Sequence, residues 1–340
     1  MNGLVIEGAN VMTRWWAHCA ALGAVAILLF TGTFQASRAA AETDTLATPQ
    51  SVAGRSSGLP ELIEIDSSDR TYQTTSQATA GMSATSAETL FERVEATPPV
   101  PQTVFYPDER VRVSPAAPSV VLLEAYDIFD NLLSQCSGTL IGPSMVLTAG
   151  HCIYNPEFGG WPANVLVGPG ADGTSFPFGI YVANWMGVPN GWSNGFNEAW
   201  DWGFLTLPEP VGYATGWAEL GVLSTASLAA GDLNPVTIGY PGDKFPGTQW
   251  GTSQPALTGV TDTFLLSSLD AYPGQSGSGV FRGADGRLIG VMESETASFN
   301  VAVRVHEVMI LNLLDGCASL GCTFSAWFEP APEPPPPPPP

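Results

Sequence analysis

From about residue 111 onward the chain alternates short apolar runs with clusters of Gly, Pro, Asn and Asp. The runs cover residues 120–126, 138–141, 145–148, 165–167, 180–185, 203–207, 236–240, 263–266, 279–281, 288–292 and 301–305. Runs of this length between turn formers predict strands, and so many in series predict an all-β sandwich or barrel. Ala284-Asp285-Gly286-Arg287, between two runs, supplies a hairpin turn. One helical pattern stands at the end, around residues 305–314, with Val308, Ile310, Leu311 and Leu314 apolar. Nothing repeats with a period of 20–50 residues.

The flanks have a different texture. Arg14 precedes Trp15-Trp16, an apolar run follows over 20–30, and small residues end in Ser37-Arg38-Ala39-Ala40-Ala41. A basic flank, a short apolar stretch and an Ala-rich exit predict a secretory signal over 1–41. The stretch falls short of the roughly 20 apolar residues of a membrane span. Met12 would start such a signal more tidily than Met1. Residues 42–110 are rich in Thr, Ser, Ala and Gln, a composition that buries little and predicts a disordered segment. We read it as a pro-segment, with Arg110 and Arg112 placed for a processing protease. The folded domain is then 111–329, and 330–340 form a polyproline II tail ending in seven prolines.

Composition narrows the chemistry. Hydrophobic residues are 44% of the chain, enough for a sizeable core, while 32 acidic against 11 basic residues give a net charge of −21. Phosphate binding needs clustered cations, so no nucleic-acid partner is expected. Cys19 would leave with the signal, and Cys136, Cys152, Cys317 and Cys322 remain. An even number in an exported chain predicts two disulfides, which we pair as Cys136–Cys152 and Cys317–Cys322. Four thiols at this spacing with few histidines do not make a metal set, and no cofactor is expected.

Three segments carry candidate chemistry. The stretch 136–152 brackets a tight turn with two strands and delivers His151 beside Cys152. Without the signal only His151 and His306 remain, and His306 opens the terminal helix as a surface or packing residue. A base that titrates near neutrality is therefore His151. In Trp200-Asp201-Trp202-Gly203, an Asp entering a buried strand needs donors, and His151 Nδ1–H would supply one. In Gly274-Gln275-Ser276-Gly277-Ser278, glycines leave the Ser276 hydroxyl uncrowded, and the Gly274 and Ser276 amides would form an oxyanion hole. The order His…Asp…Ser and the absence of βα alternation exclude an α/β-hydrolase elbow.

Leu-Thr-Ala-Gly-His-Cys at 147–152 and Gly-Gln-Ser-Gly-Ser at 274–278 resemble the trypsin-like serine peptidases. Gly239-Tyr-Pro-Gly-Asp-Lys244, the Asp270-Ala-Tyr-Pro lead-in and Asn300-Val-Ala-Val-Arg304 narrow the likeness to the bacterial glutamyl endopeptidase, or V8-like, group. The resemblance spans about 111–314. It implies two six-stranded antiparallel β-barrels with a C-terminal helix, and a triad of His151, Asp201 and Ser276. It further implies a monomeric, secreted (extracellular or periplasmic) endopeptidase acting on polypeptides, with no stable membrane insertion. Gln275 stands where trypsin-like zymogens have an Asp, so activation by that ion pair is not expected. Asp270, Met292 and Glu293 are candidate pocket residues. Met292-Glu293-Ser294 replaces the His of Glu-specific members, so the likeness does not extend to acidic recognition. The alternative is a catalytically silent binding or adhesion protein of the same fold, although all three triad positions are kept.

Overall fold

The computed structural model describes residues 103–331, apart from 106 and 297, together with the strand Tyr72–Thr74. The predicted signal, most of the predicted pro-segment and tail residues 332–340 lie outside the described residues.

The strands of the first half are β1 (Tyr72–Thr74), β2 (Val111–Arg112), β3 (Val120–Tyr126), β4 (Leu132–Leu140), β5 (Met145–Thr148), β6 (Asn164–Pro169), β7 (Tyr181–Val182), β8 (Trp185–Pro189) and β9 (Gly203–Thr206). Those of the second half are β10 (Leu220–Val222), β11 (Val236–Gly239), β12 (Trp250–Ser253), β13 (Gly259–Val260), β14 (Phe264–Ser267), β15 (Gly279–Phe281), β16 (Leu288–Glu295), β17 (Asn300–Arg304) and β18 (Ala326–Phe328). They form two curled antiparallel sheets, ordered β1-β8-β9-β5-β4-β3-β6-β7 and β13-β14-β17-β16-β15-β11-β12-β2.

Each order contains six central strands, as the resemblance implied. The difference lies at the edges. Strands of two or three residues (β1, β7, β2 and β13) flank both sheets. In addition β10 joins β16, and β18 joins β10, in parallel. Such short strands occupy edge hydrogen-bonding groups that would otherwise stand open.

Burial explains why several predicted runs are continuous rather than alternating. Every residue of β3 is buried. Val121, Leu123 and Ala125 enter the first-sheet core, whereas Val120 and Leu122 pack with Ala171 and Tyr240. A second core joins the two sheets: Met145, Leu147, Trp202 and Phe204 meet Leu288, Val291 and Val303. The C-terminal helix, Glu307–Leu320, adds Met309, Ile310, Leu313 and Cys317 to it. The helix runs six residues past its predicted end because Cys317 still faces that core, and Gly321 at φ 68° stops it. His306 is its N-cap: Nδ1 accepts the Met309 N–H at 3.3 Å.

The N-terminal boundary differs from expectation. Residues from Thr103 are already seated on the second sheet, and Arg110 is 5% exposed. Its guanidinium is paired with Asp108 and Asp243, so it is no accessible cutting site in the folded domain. Among the described residues no helix is long and apolar enough to cross a membrane.

Candidate active site

Strands β4 and β5 pair through Thr139↔Leu147 and Leu140↔Val146. The chain then leaves β5 into a single 3₁₀ turn, Gly150–Cys152. The Cys136–Cys152 disulfide, with Cα atoms 6.1 Å apart, ties that turn back to β4. His151 is thus fixed by the β5 backbone on one side and a covalent bridge on the other.

Asp201 arrives from the neighbouring strand. A 3₁₀ turn, Glu198–Trp200, ends at Asp201, and β9 pairs with β5 through Thr148↔Gly203. That register sets Asp201 beside the His151 turn. Its Oδ1 accepts the His151 backbone N–H at 2.7 Å, and Oδ2 lies 2.7 Å from Nδ1. A carboxylate only accepts, so the proton of the second contact sits on Nδ1 and Nε2 presents its lone pair. Gly150 is required here, because a Cβ would stand 2.9 Å from both Asp201 Oδ1 and the Trp192 ring. Both members are buried, Asp201 at 3% exposure and His151 at 7%.

The Ser276 loop reaches the same place from the second sheet. The Ser276 carbonyl accepts from Ser137 N at 2.8 Å, one residue from the bridged Cys136. Ser137 Oγ donates to the Gly274 carbonyl and accepts from Tyr240 N, both at 2.8 Å. Gly277 donates to Met292 O at 2.7 Å. Gly274 and Gly277 have φ of 100° and 80°, conformations that disfavour any side chain. A Cβ on Gly277 would collide with Thr148 Oγ1 and the Ser137 carbonyl. The loop therefore lies directly on the end of β5, from which the His151 turn departs.

The remaining predicted residues have other surroundings. Asp270 is 2% exposed. Its two oxygens accept the backbone N–H groups of Phe105 and Glu109, both at 2.7 Å. Its carboxylate is thus turned to the N-terminal segment. Met292 and Glu293 are equally buried, at 0% and 1%. Glu293 is pushed up to about 9, first by burial and then by the negative charges of Asp201 and Glu198. Cys317 and Cys322 are bridged, far along the chain from the triad segments.

Sequence reading missed the Arg110 cluster. Its guanidinium forms paired bonds to Asp243 at 2.6 and 2.9 Å, contacts Gln275 Oε1 at 3.5 Å, and lies 5.7 Å from the Tyr272 ring centroid. Gln275 Oε1 also accepts from Tyr272 N at 3.0 Å. The residue before Ser276 is thereby held from the N-terminal segment. Asp108-Glu109-Arg110 in a chain this poor in cations was the available signal.

Among the described residues the one group of potential metal donors is Cys136, His151 and Cys152. The two sulfurs are bonded to each other and Nδ1 is engaged by Asp201, so this set does not fit a metal.

Residues 136–291 match the family model of the trypsin-like peptidase domain. The chain is 38% identical over 188 residues to a glutamyl endopeptidase of Bacillus licheniformis, covering 55% of this chain and 57% of that protein. It therefore spans less than two thirds of that relative's length. An extracellular metalloprotease of Bacillus subtilis is 29% identical over 221 residues, 63% of this chain and 69% of that one. Among solved structures, a Glu endopeptidase in complex with MPD superposes with a TM-score of 0.57 at 22% identity, covering 64% of this chain and all of that one. That likeness supports the fold of two curled antiparallel sheets.

Proposed function

We propose that this protein is a secreted serine endopeptidase that hydrolyses peptide bonds through an acyl-enzyme. Ser276 attacks the carbonyl carbon, and His151 Nε2 takes the hydroxyl proton and returns it to the leaving amine. Asp201 fixes the tautomer and balances the imidazolium, while the Gly274 and Ser276 amides receive the oxyanion. The observation that carries this reading is the double grip of Asp201 on His151, ring and backbone, beside the Ser276 loop. Burying a carboxylate is costly unless it is paired, and here the pairing aims the imidazole. The predicted signal and the two bridges support export to an oxidising compartment.

A fluorophosphonate probe is expected to label the wild type at Ser276 and to leave a folded Ser276→Ala variant unlabelled. Ser276→Ala should also abolish cleavage of a casein substrate. A wild type that neither reacts nor cleaves would instead favour the silent binding protein. Cleavage preference is read by profiling on a peptide library. Among the described residues the other imidazole, His306, is committed to its helix cap and is not free to receive an acidic side chain.

A further inference from the structure

Glu293 is a buried carboxyl group that the proposed mechanism does not use. It occupies a bulge: on β16, Met292 pairs with Ala302 and Ser294 with Val301, so Glu293 is the extra residue. Its neighbours in sequence hold the nucleophile loop, since Met292 O accepts from Gly277 N and Met292 N donates to Ser278 O. The tryptophans flanking Asp201 join Val291 and Val303 in one apolar core, and the turn that ends at Asp201 packs on β17, the partner strand of β16. Glu293 thus stands where β16 meets both Asp201 and the Ser276 loop.

The charges around it are of one sign. Asp201 and Glu198 act on it from the segment before β9. Facing it from β17 are Ala302 and Val301, and β15 offers Gly279 opposite Val291. Arg304, further along β17, spends its guanidinium on Leu223 O, Thr261 O and Thr225 Oγ1. His151 is hydrogen-bonded to Asp201.

Two neighbouring buried carboxyls do not both ionise at neutral pH, and donors decide which one keeps its proton. Asp201 receives two donors at 2.7 Å, whereas the Glu293 carboxyl has a hydrogen bond from the Ser294 side chain and its Oε2 is buried without a partner. The negative charge therefore rests on Asp201 and the proton on Glu293. We propose that Glu293 is a positioning residue of the triad, a neutral carboxylic acid that closes the buried side of Asp201 and leaves a single anion at the imidazole. Loss of its proton would set a second anion against Asp201 and pull the His151–Asp201 pair apart. The proposal rests on the peptidase reading, so its test includes a measurement that does not depend on activity.

Each variant's profile of kcat/KM against pH is normalised to its own plateau. Wild type is expected to lose activity reversibly above about pH 9, and Glu293→Gln to lack that alkaline fall. Coincident alkaline limbs would overturn the proposal. So would an acid limb displaced downward in Glu293→Gln, which would mean that an anion had been removed. Independently, infrared spectra are recorded in a Ser276→Ala, Glu124→Gln background, which removes the other carboxyl that burial raises among the described residues. A protonated-carboxyl carbonyl band should be present at pH 7 and titrate away between pH 8 and 10, and Glu293→Gln should lack it. A band absent at pH 7 would refute the neutral assignment even in a protein with no measurable peptidase activity.

Discussion

At the scale of single residues, the site depends on one carboxylate doing two jobs. Asp201 holds the His151 backbone with one oxygen and its ring with the other. Asn at this position would still accept the backbone N–H, but its amide would face Nδ1 with a donor and reverse the tautomer. Asp201→Asn is therefore expected to fold and to lose roughly 10⁴-fold in kcat with little change in KM. A loss of under tenfold, measured by initial rates, would remove Asp201 from the mechanism. His151, the proposed base, was singled out by its motif and by elimination, and Ser276, the proposed nucleophile, by its glycines. The second bond of Asp201, to the backbone, was not legible, because it depends on the β5–β9 register rather than on any neighbour in sequence.

At the scale of elements, the segment preceding β2 is the least expected part of the molecule. Composition placed residues up to 110 in a disordered pro-segment, yet 103–110 are bound by contacts that no local pattern announces. Thr103 N donates to Asn300 Oδ1 at 3.0 Å, and Asn300 Nδ2 returns a bond to Thr103 O at 2.7 Å. Phe105 and Glu109 donate to Asp270. The strands themselves were readable because the apolar runs fall on strands that are wholly buried, such as β3, or that alternate in burial, such as β11. The short edge strands were not, since two residues carry no periodicity. Asp270→Ala would strand two backbone donors, at a cost of about 2–4 kcal/mol. Urea unfolding should show that loss, and hydrogen exchange at Phe105 and Glu109 should accelerate. A changed cleavage preference with protection intact would instead make Asp270 a specificity residue.

At the scale of the whole molecule, buried titratable groups give stability a defined tilt with pH. Glu124 is raised to about 8, chiefly by burial, and Glu293 to about 9. What they contribute is whole below the ordinary glutamate value of 4.5 and is lost as pH rises through their folded values. His306 is held down to about 4 by burial and the Arg304 charge, so its contribution is whole above 6.5 and lost as pH falls. Two carboxyls outweigh one imidazole between these limits, each group counting about 1.4 kcal/mol per pH unit. Self-repulsion at a net charge of −21 works in the same direction. The melting temperature should peak near about pH 5 and fall steadily toward pH 9. A maximum at or above pH 8 in a calorimetric series would contradict this balance.

The clasp between Thr103 and Asn300 also bears on how the protein is made. Its two halves are 197 residues apart in the chain. At ribosomal speeds of about 5–20 residues per second, the first partner waits roughly 10–40 seconds for the second. Asp270, which anchors the same segment, also emerges late. A chain stopped short of β17 would carry His151, Asp201, Ser276 and Asp270 yet lack the Asn300 half of the clasp. The clasp on Thr103 thus closes only after β17 has been made.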